Sequence, residues 1–262
     1  MNTFLAKQIV RYYVTSGHKF GHRVHSPFVF ELIQSVFRAK NSQSTFSKIE
    51  KRRKELLRDA TEITIQDFGA GSKRNTSNTR KINYIARTSL SQGKYARLLY
   101  NLIQHFKPKT ILELGTSLGI SSAYMAYGNP DANVVSLEGS ETIAEIARKT
   151  MHSCEIENVE IVVGNFDDTL AGVLSKLHPV DFAFVDGNHT KEATLRYFNQ
   201  ICEYRSSQTV MIFDDISWSE GMREAWNTIK DDKRVSISID LCKFGIVFFR
   251  DGIVKQNFVI RY

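Results

Sequence analysis

Cysteine is scarce in this chain. Its three copies, Cys154, Cys202 and Cys242, form no CxxC pair and no metal-ligand spacing. That argues against a disulfide framework or zinc ribbon and suits a reducing compartment. Long apolar runs are missing too: none approaches the roughly 18–20 residues of a membrane span. The N-terminal stretch MNTFLAKQIVRYYV is interrupted by Lys7 and Arg11, a poor secretory leader. Internal repeats and low-complexity segments are also lacking. A cytoplasmic, globular protein is expected, with one large domain or one domain plus an extension, given 42% hydrophobic and 24% charged residues over 262 positions.

Charge is unevenly placed. Residues 1–90 hold 17 Lys/Arg against 6 Asp/Glu, and residues 91–262 hold 18 against 22, which together give the net +7. Two readings of the basic third stay open. It is a solvated helical surface, or it attracts an anionic partner: a phosphorylated substrate, nucleic acid or anionic lipid.

Helical spacing marks 3–15, 27–38 and 46–61, with the loop SGHKFGHRVHSP between the first two. Tyr12, Tyr13, Phe28 and Phe30 are expected in the core of this helical part. His18, His22 and His25 cluster in the loop without a nearby Cys, so substrate or core contacts are expected there rather than zinc. A polar stretch comes next at 66–80, then a short helix at 81–87 and an amphipathic helix at 91–106. From 109 onward strands and helices alternate: TILELG, NVVSLEG, VEIVVGN, DFAFVDGN and TVMIFDD are each followed by a helix. Continuous apolar strands in that rhythm imply a parallel sheet covered on both faces. Ser140 is expected to cap the helix 140–154. VSISIDLC and FGIVFFR lie too close for a helical crossover and should pair antiparallel. NFVIRY is a last strand-like piece. The expected division is a basic helical extension over 1–90 and an α/β domain over 91–262.

Two glycine loops compete for a cofactor: DFGAGSKR (67–74) and ELGTSLGIS (113–121). A ligand loop in a doubly wound sheet is followed by a helix, and the next strand ends in an acid for ribose hydroxyls. The second loop meets this test, because Gly115 and Gly119 flank a turn, a helix comes next, and Glu138 ends the next strand. The first loop fails it. Its glycines serve a turn, or it faces an acceptor, with Lys73 and Arg74 offering positive charge to an anionic group. The pattern E-L-G-T-S-L-G also lacks the middle glycine of dinucleotide folds, so a ligand without a pyrophosphate suits it better.

The motif ELGTSLGIS, the acid-tipped VVSLEGS, and the antiparallel final strand pair together resemble the class I S-adenosylmethionine-dependent methyltransferases. VDGNH and IFDD narrow the resemblance to the small-molecule O-methyltransferase branch, catechol-type and macrolide-sugar-type, over roughly 91–250. HRVHSPFVF is similar to bacterial members. The resemblance implies a Rossmann-like, seven-stranded, mostly parallel sheet with an antiparallel final pair, to which the helical residues 1–90 would add an N-terminal cap. It implies S-adenosyl-L-methionine at Glu113, Gly115, Thr116, Ser117 and Gly119, with Glu138 and Gly139 at the ribose, Asn165 and Phe166 at adenine, and Asp186 beside it. The branch often has an acid where Asn165 stands.

Methyl transfer to oxygen needs a positioned and deprotonated hydroxyl. A divalent cation does both, and Asp186, Asp214 and Asp215 end two neighbouring strands, where their carboxylates would converge. The resemblance places Mg²⁺ on these three acids. The residues alone also allow Asp186 to order a turn and Asp214 or Asp215 to cap a helix. His189, three residues past Asp186, has a pKa suited to a general base; a helix-capping histidine is the alternative. Trp218 either stacks on an acceptor or packs in the core.

The expectation is an O-methyltransferase with a small, anionic, hydroxylated acceptor. Base methylation of nucleic acid is disfavoured, because DGNH stands where N/D-P-P-[YF] is usual, although RNA methylation stays open. An NAD-dependent oxidoreductase or a non-catalytic binding protein is the alternative of another class. Oligomeric state, homodimer included, is left open.

Overall fold

Short apolar segments bounded by turn residues build the sheet strands, and the amphipathic stretches between them become helices. The computed structural model describes residues 3–17, 20–21, 24–65, 79–90 and 93–262. His18, His22 and the whole DFGAGSKR loop, with Lys73 and Arg74, lie outside the described residues. In chain order the first ninety residues hold α1 (Thr3–Thr15), α2 (Pro27–Leu32) leading into a π-helical turn at Ile33–Phe37, α3 (Ser47–Arg58), β1 (Glu62–Thr64), β2 (Thr79–Lys81) and α4 (Ile82–Ser89). The alternating part comprises α5 (Gly93–Phe106), β3 (Thr110–Leu114), α6 (Ile120–Gly128), β4 (Asn133–Glu138), α7 (Glu141–Ser153), β5 (Val159–Val163), α8 (Phe166–Lys176), β6 (Val180–Val185), α9 (Lys191–Cys202), β7 (Arg205–Phe213), α10 (Glu220–Asp231), β8 (Ile237–Asp240), β9 (Gly245–Phe248) and β10 (Gln256–Val259). This is an α/β fold with mostly parallel strands, an antiparallel final pair and flanking helices.

The chain divides into two compact units, 39–173 and 1–38 with 174–262. The basic N-terminal third is therefore shared between both. In the first unit β3, β4 and β5 pair in parallel. Helix α3 reads as a charged surface helix, yet Ile49 and Leu56, two turns apart on one face, are fully buried. They join Phe46, Leu118, Ile120, Tyr124, Ile143 and Met151 in one apolar cluster. The Phe46 ring lies 4.9 Å from Tyr100 and 4.8 Å from Tyr124. The Tyr124 hydroxyl donates to Glu50 Oε1 at 2.6 Å, and Arg52 Nε donates to Thr150 Oγ1 at 3.3 Å. Strands β1 and β2, a short antiparallel pair, have no sequence signal because their ends flank a polar stretch without an apolar period.

In the second unit the order is β6-β7-β9-β8-β10. β6 and β7 are parallel, β9 runs antiparallel to both β7 and β8, and β10 is parallel to β8. Among the described residues the sheet strands β3–β10 number eight rather than the seven that the resemblance implies, and the strand-like NFVIRY supplies the last of them. Helix α1 is tied to it: Gly17 N–H donates to Val259 O at 2.6 Å, and the Tyr12 hydroxyl donates to Ile260 O at 2.7 Å. Only one face of α1 is used, which corrects part of the expected core. Tyr12 is buried, but Tyr13, about 100° round the helix, is 55% exposed. Phe30 is also largely exposed, and His25 is exposed. Phe28 packs edge-on against Phe248, with ring centroids 5.0 Å apart. Among the described residues no helix is long and apolar enough to cross a membrane.

Phe46→Ala should cost about 3–5 kcal/mol in urea unfolding followed by tryptophan fluorescence and circular dichroism. A cost below about 1 kcal/mol would show that α3 does not belong to the core of its unit.

Candidate functional site

In the unit 39–173 the carboxyl ends of β3 and β4 converge through their register. Glu113 pairs with Ser136 across the two strands, which sets a hydroxyl against the carboxylate. Ser136 Oγ donates to Glu113 Oε2 at 2.6 Å, and Ser122 Oγ donates to the same oxygen. Glu113 is fully buried, and among the described residues its Oε1 has no hydrogen-bond partner. Burial pushes its pKa from 4.5 up to about 7, against the opposing pull of the Ser121, Ser122 and Ser136 hydroxyls.

Above this carboxylate the turn Gly115–Gly119 is pinned to β4. The N–H groups of Gly115 and Thr116 donate to Leu137 O at 3.0 and 3.1 Å, and Thr116 Oγ1 lies 2.6 Å from Ser136 Oγ. Gly119 has φ +83°, and a Cβ there would sit 3.2 Å from Ala147 Cα and 2.8 Å from the Met151 methyl, so only glycine fits. Glu138 holds both neighbouring loops. Its Oε2 accepts from Ser117 N–H at 2.9 Å and its Oε1 from Ser140 N–H at 3.0 Å, across Gly139. Ser140 stands at the helix N-cap but makes no side-chain cap bond; the sequence expected one, and the neighbouring Glu138 instead takes the Ser140 N–H. Asn165 caps α8, its Oδ1 accepting from Asp167 N–H at 3.1 Å. Phe166 beside it is half-buried.

In the other unit, β6 and β7 pair Val185 with Phe213, so Asp186 comes directly after one strand end and Asp214 after the adjacent one. The acids gather around a lysine, which Asp214 and Asp215 contact directly. Lys243 Nζ lies 2.7 Å from both carboxylate oxygens of Asp214 and 2.9 Å from Asp215 Oδ1. Asp215 is held at φ +52°. Asp214 is buried, and its carboxyl is within hydrogen-bond reach of Asp186. Burial, then the neighbouring acid, raises the pKa of both, while Lys243 opposes the rise. Burial works against the Lys243 charge, but Asp214, Asp215 and Asp186 outweigh it and raise its pKa. His189 Nε2 lies 3.6 Å from Asp186 Oδ1. Trp218 is 55% exposed, which removes core packing as its role.

The three acids therefore have the right type for a divalent cation but do not fit one as arranged, because an ammonium stands among the oxygens of Asp214 and Asp215. Among the described residues no group of three His, Cys, Asp or Glu side chains is disposed to hold a metal. Sequence reasoning missed Lys243, which read only as a break between strands; a lone lysine in the final hairpin opposite an Asp-Asp pair was the available signal. It also missed the part-buried Arg223–Asp240 ion pair, 2.7 Å apart.

Glu113 gives a pH signature. Between 4.5 and about 7 the folded chain binds the proton that the unfolded chain has released, so the contribution of this group to stability falls by roughly 3 kcal/mol as pH rises through that window. Glu113→Gln should remove this loss and exceed the wild-type Tm above pH 7, with little difference at pH 4.5. Equal pH slopes in thermal melts of the two proteins would contradict it.

A methyltransferase-domain family model matches residues 112–216. The catechol O-methyltransferase of Niastella koreensis is 30% identical over 131 residues, 49% of this chain and 57% of that protein. The chain spans about half the length of the curated relatives it matches. An O-methyltransferase from Bacillus cereus, solved with S-adenosylhomocysteine, superposes with a TM-score of 0.56 at 22% identity, covering 84% of this chain and 97% of that one. The O-methyltransferase TomG from Streptomyces achromogenes, solved with S-adenosylmethionine, gives 0.57 at 18% identity, covering 85% and 96%. Residues 112–216 thus match a methyltransferase domain, and the chain shares the Rossmann-like α/β fold of these solved O-methyltransferases.

Proposed function

We propose that the protein is a cytoplasmic S-adenosylmethionine-dependent O-methyltransferase acting on a small hydroxylated acceptor. The observation that carries this reading is Glu138. Its carboxylate is half-buried at a strand end and fixed by two backbone N–H groups, one of them in the glycine turn. That is the support a ribose diol requires, beside a turn without the pyrophosphate glycine. Gly115, Thr116, Ser117 and Gly119 line the amino-acid end of the cofactor, and Gly139 leaves room beside the ribose. Glu113 faces the cofactor ammonium through charge. Asn165, whose Nδ2 has no partner among the described residues, donates to adenine, with Phe166 against the ring and Asp186 near it.

When bound, the cofactor supplies a methyl group on a sulfonium, and the acceptor oxygen displaces it in line. The acceptor proton is the task of this chain. With His189 Nε2 turned to Asp186, Nδ1 takes that proton and Asp186 keeps the ring oriented. Trp218 offers an exposed aromatic face to the acceptor. Lys73 and Arg74, with the basic excess of residues 1–90, favour an acceptor carrying a carboxylate or phosphate. No step is assigned to Mg²⁺, since two of its three expected ligands, Asp214 and Asp215, already hold Lys243.

Isothermal titration calorimetry should show S-adenosylhomocysteine binding and no NADH binding, and Glu138→Ala should weaken the former by roughly 10–100-fold. NADH binding with no S-adenosylhomocysteine heat would overturn the reading. His189→Ala should lower kcat with a catechol acceptor by about 100-fold or more and leave S-adenosylhomocysteine affinity unchanged. A near-native kcat would remove His189 as the base.

A further inference from the structure

We propose that Lys243 is the built-in cation of the acceptor site, standing in for a divalent metal, so that this chain neither needs nor binds one there. This rests on the methyltransferase reading for its purpose but on Lys243 alone for its geometry. An ammonium has three N–H donors. Here they meet a cage of three carboxylate oxygens, both from Asp214 at 2.7 Å and one from Asp215 at 2.9 Å. A Mg²⁺ ion would need oxygens at about 2.0–2.1 Å in an octahedron, and the Lys243 nitrogen stands inside the oxygen set it would use.

The lysine is not a surface side chain that happened to fold inward. Its backbone is fixed on both sides. Lys243 N–H donates to Leu241 O at 2.9 Å, and Lys243 O accepts from Ile216 N–H at 3.1 Å, immediately after the acidic pair. The turn that carries it is itself bonded: Asp240 Oδ1 accepts from Cys242 N–H at 2.8 Å, Leu241 N–H donates to Phe244 O at 2.8 Å, and Cys242 is held at φ +70°. The side chain is three-quarters covered. The hairpin β8–β9 thus delivers one ammonium to the strand end of β7. Its positive charge offsets the buried carboxylates, as a metal would. Admitting a metal would require expelling the ammonium and leaving like charges side by side.

Mn²⁺ is the probe, followed by electron paramagnetic resonance with the full chain at about pH 7.5, and it requires no acceptor. Wild type should leave the free Mn²⁺ signal unchanged up to about 1 mM. Lys243→Met should bind Mn²⁺ at least about tenfold more tightly, and adding Asp214→Asn to it should abolish that gain. Mn²⁺ binding by wild type that Asp215→Asn removes would overturn the proposal, and that measurement stands even if Lys243→Met does not fold. A folded Lys243→Met that binds no better than wild type would also overturn it. S-adenosylhomocysteine titration of the same samples separates the outcomes. Its failure sinks the methyltransferase reading, whereas a wild-type Mn²⁺ site alongside intact S-adenosylhomocysteine binding sinks only this inference.

Discussion

Carboxylates set at the ends of buried strands must be satisfied there, because an unpaired charge out of water costs several kcal/mol. This one requirement organises both units. Glu113 meets it with hydroxyls supplied by the neighbouring strand and by α6. Glu138 meets it with backbone N–H groups and so fixes the glycine turn. Asp214 and Asp215 meet it with the ammonium of Lys243. In each case the partner that stabilises the charge also shapes a loop, so electrostatic satisfaction and site geometry are one event.

The three solutions differ in what they leave over. Glu113 retains an oxygen without a partner among the described residues, a state that burial resists and a bound cationic group would relieve. Glu138 is half-buried and rigid, suited to a neutral diol. The Asp214–Asp215–Lys243 group is close to closed, because the three donors of the ammonium already meet three carboxylate oxygens. A stable fold would not require the first of these. Its cost is the kind that sites of function retain.

Most of the alternating architecture was legible in the sequence, since TILELG, VVSLEG, VEIVVG, DFAFVDG and TVMIFDD are continuous apolar runs with turn residues behind them. ELGTSLG was preferred to DFGAGSKR because a helix should start directly behind a ligand loop, and α6 does start at Ile120, next to Gly119. Elements governed by distant partners were less legible. Helix α3 looked solvated because ten of its twelve residues are not buried, yet Ile49 and Leu56 place it in the core. Tyr13 and Phe30 read as core because residue type alone cannot say which face of a helix is covered. The Lys243 ammonium was invisible because it meets residues 28 and 29 positions away, through a hairpin whose turn no periodicity describes. The acids announced a counter-charge, and their spacing did not say whether it was a metal or a lysine.

Glu138 as the ribose anchor of an adenosyl ligand is the central claim. A crystal structure of the full chain with S-adenosylhomocysteine measures this directly. The expected result is both ribose hydroxyls on the Glu138 carboxylate, with the amino-acid end over Gly115. Ligand density at residues 67–74, or a ribose turned away from Glu138, would contradict it.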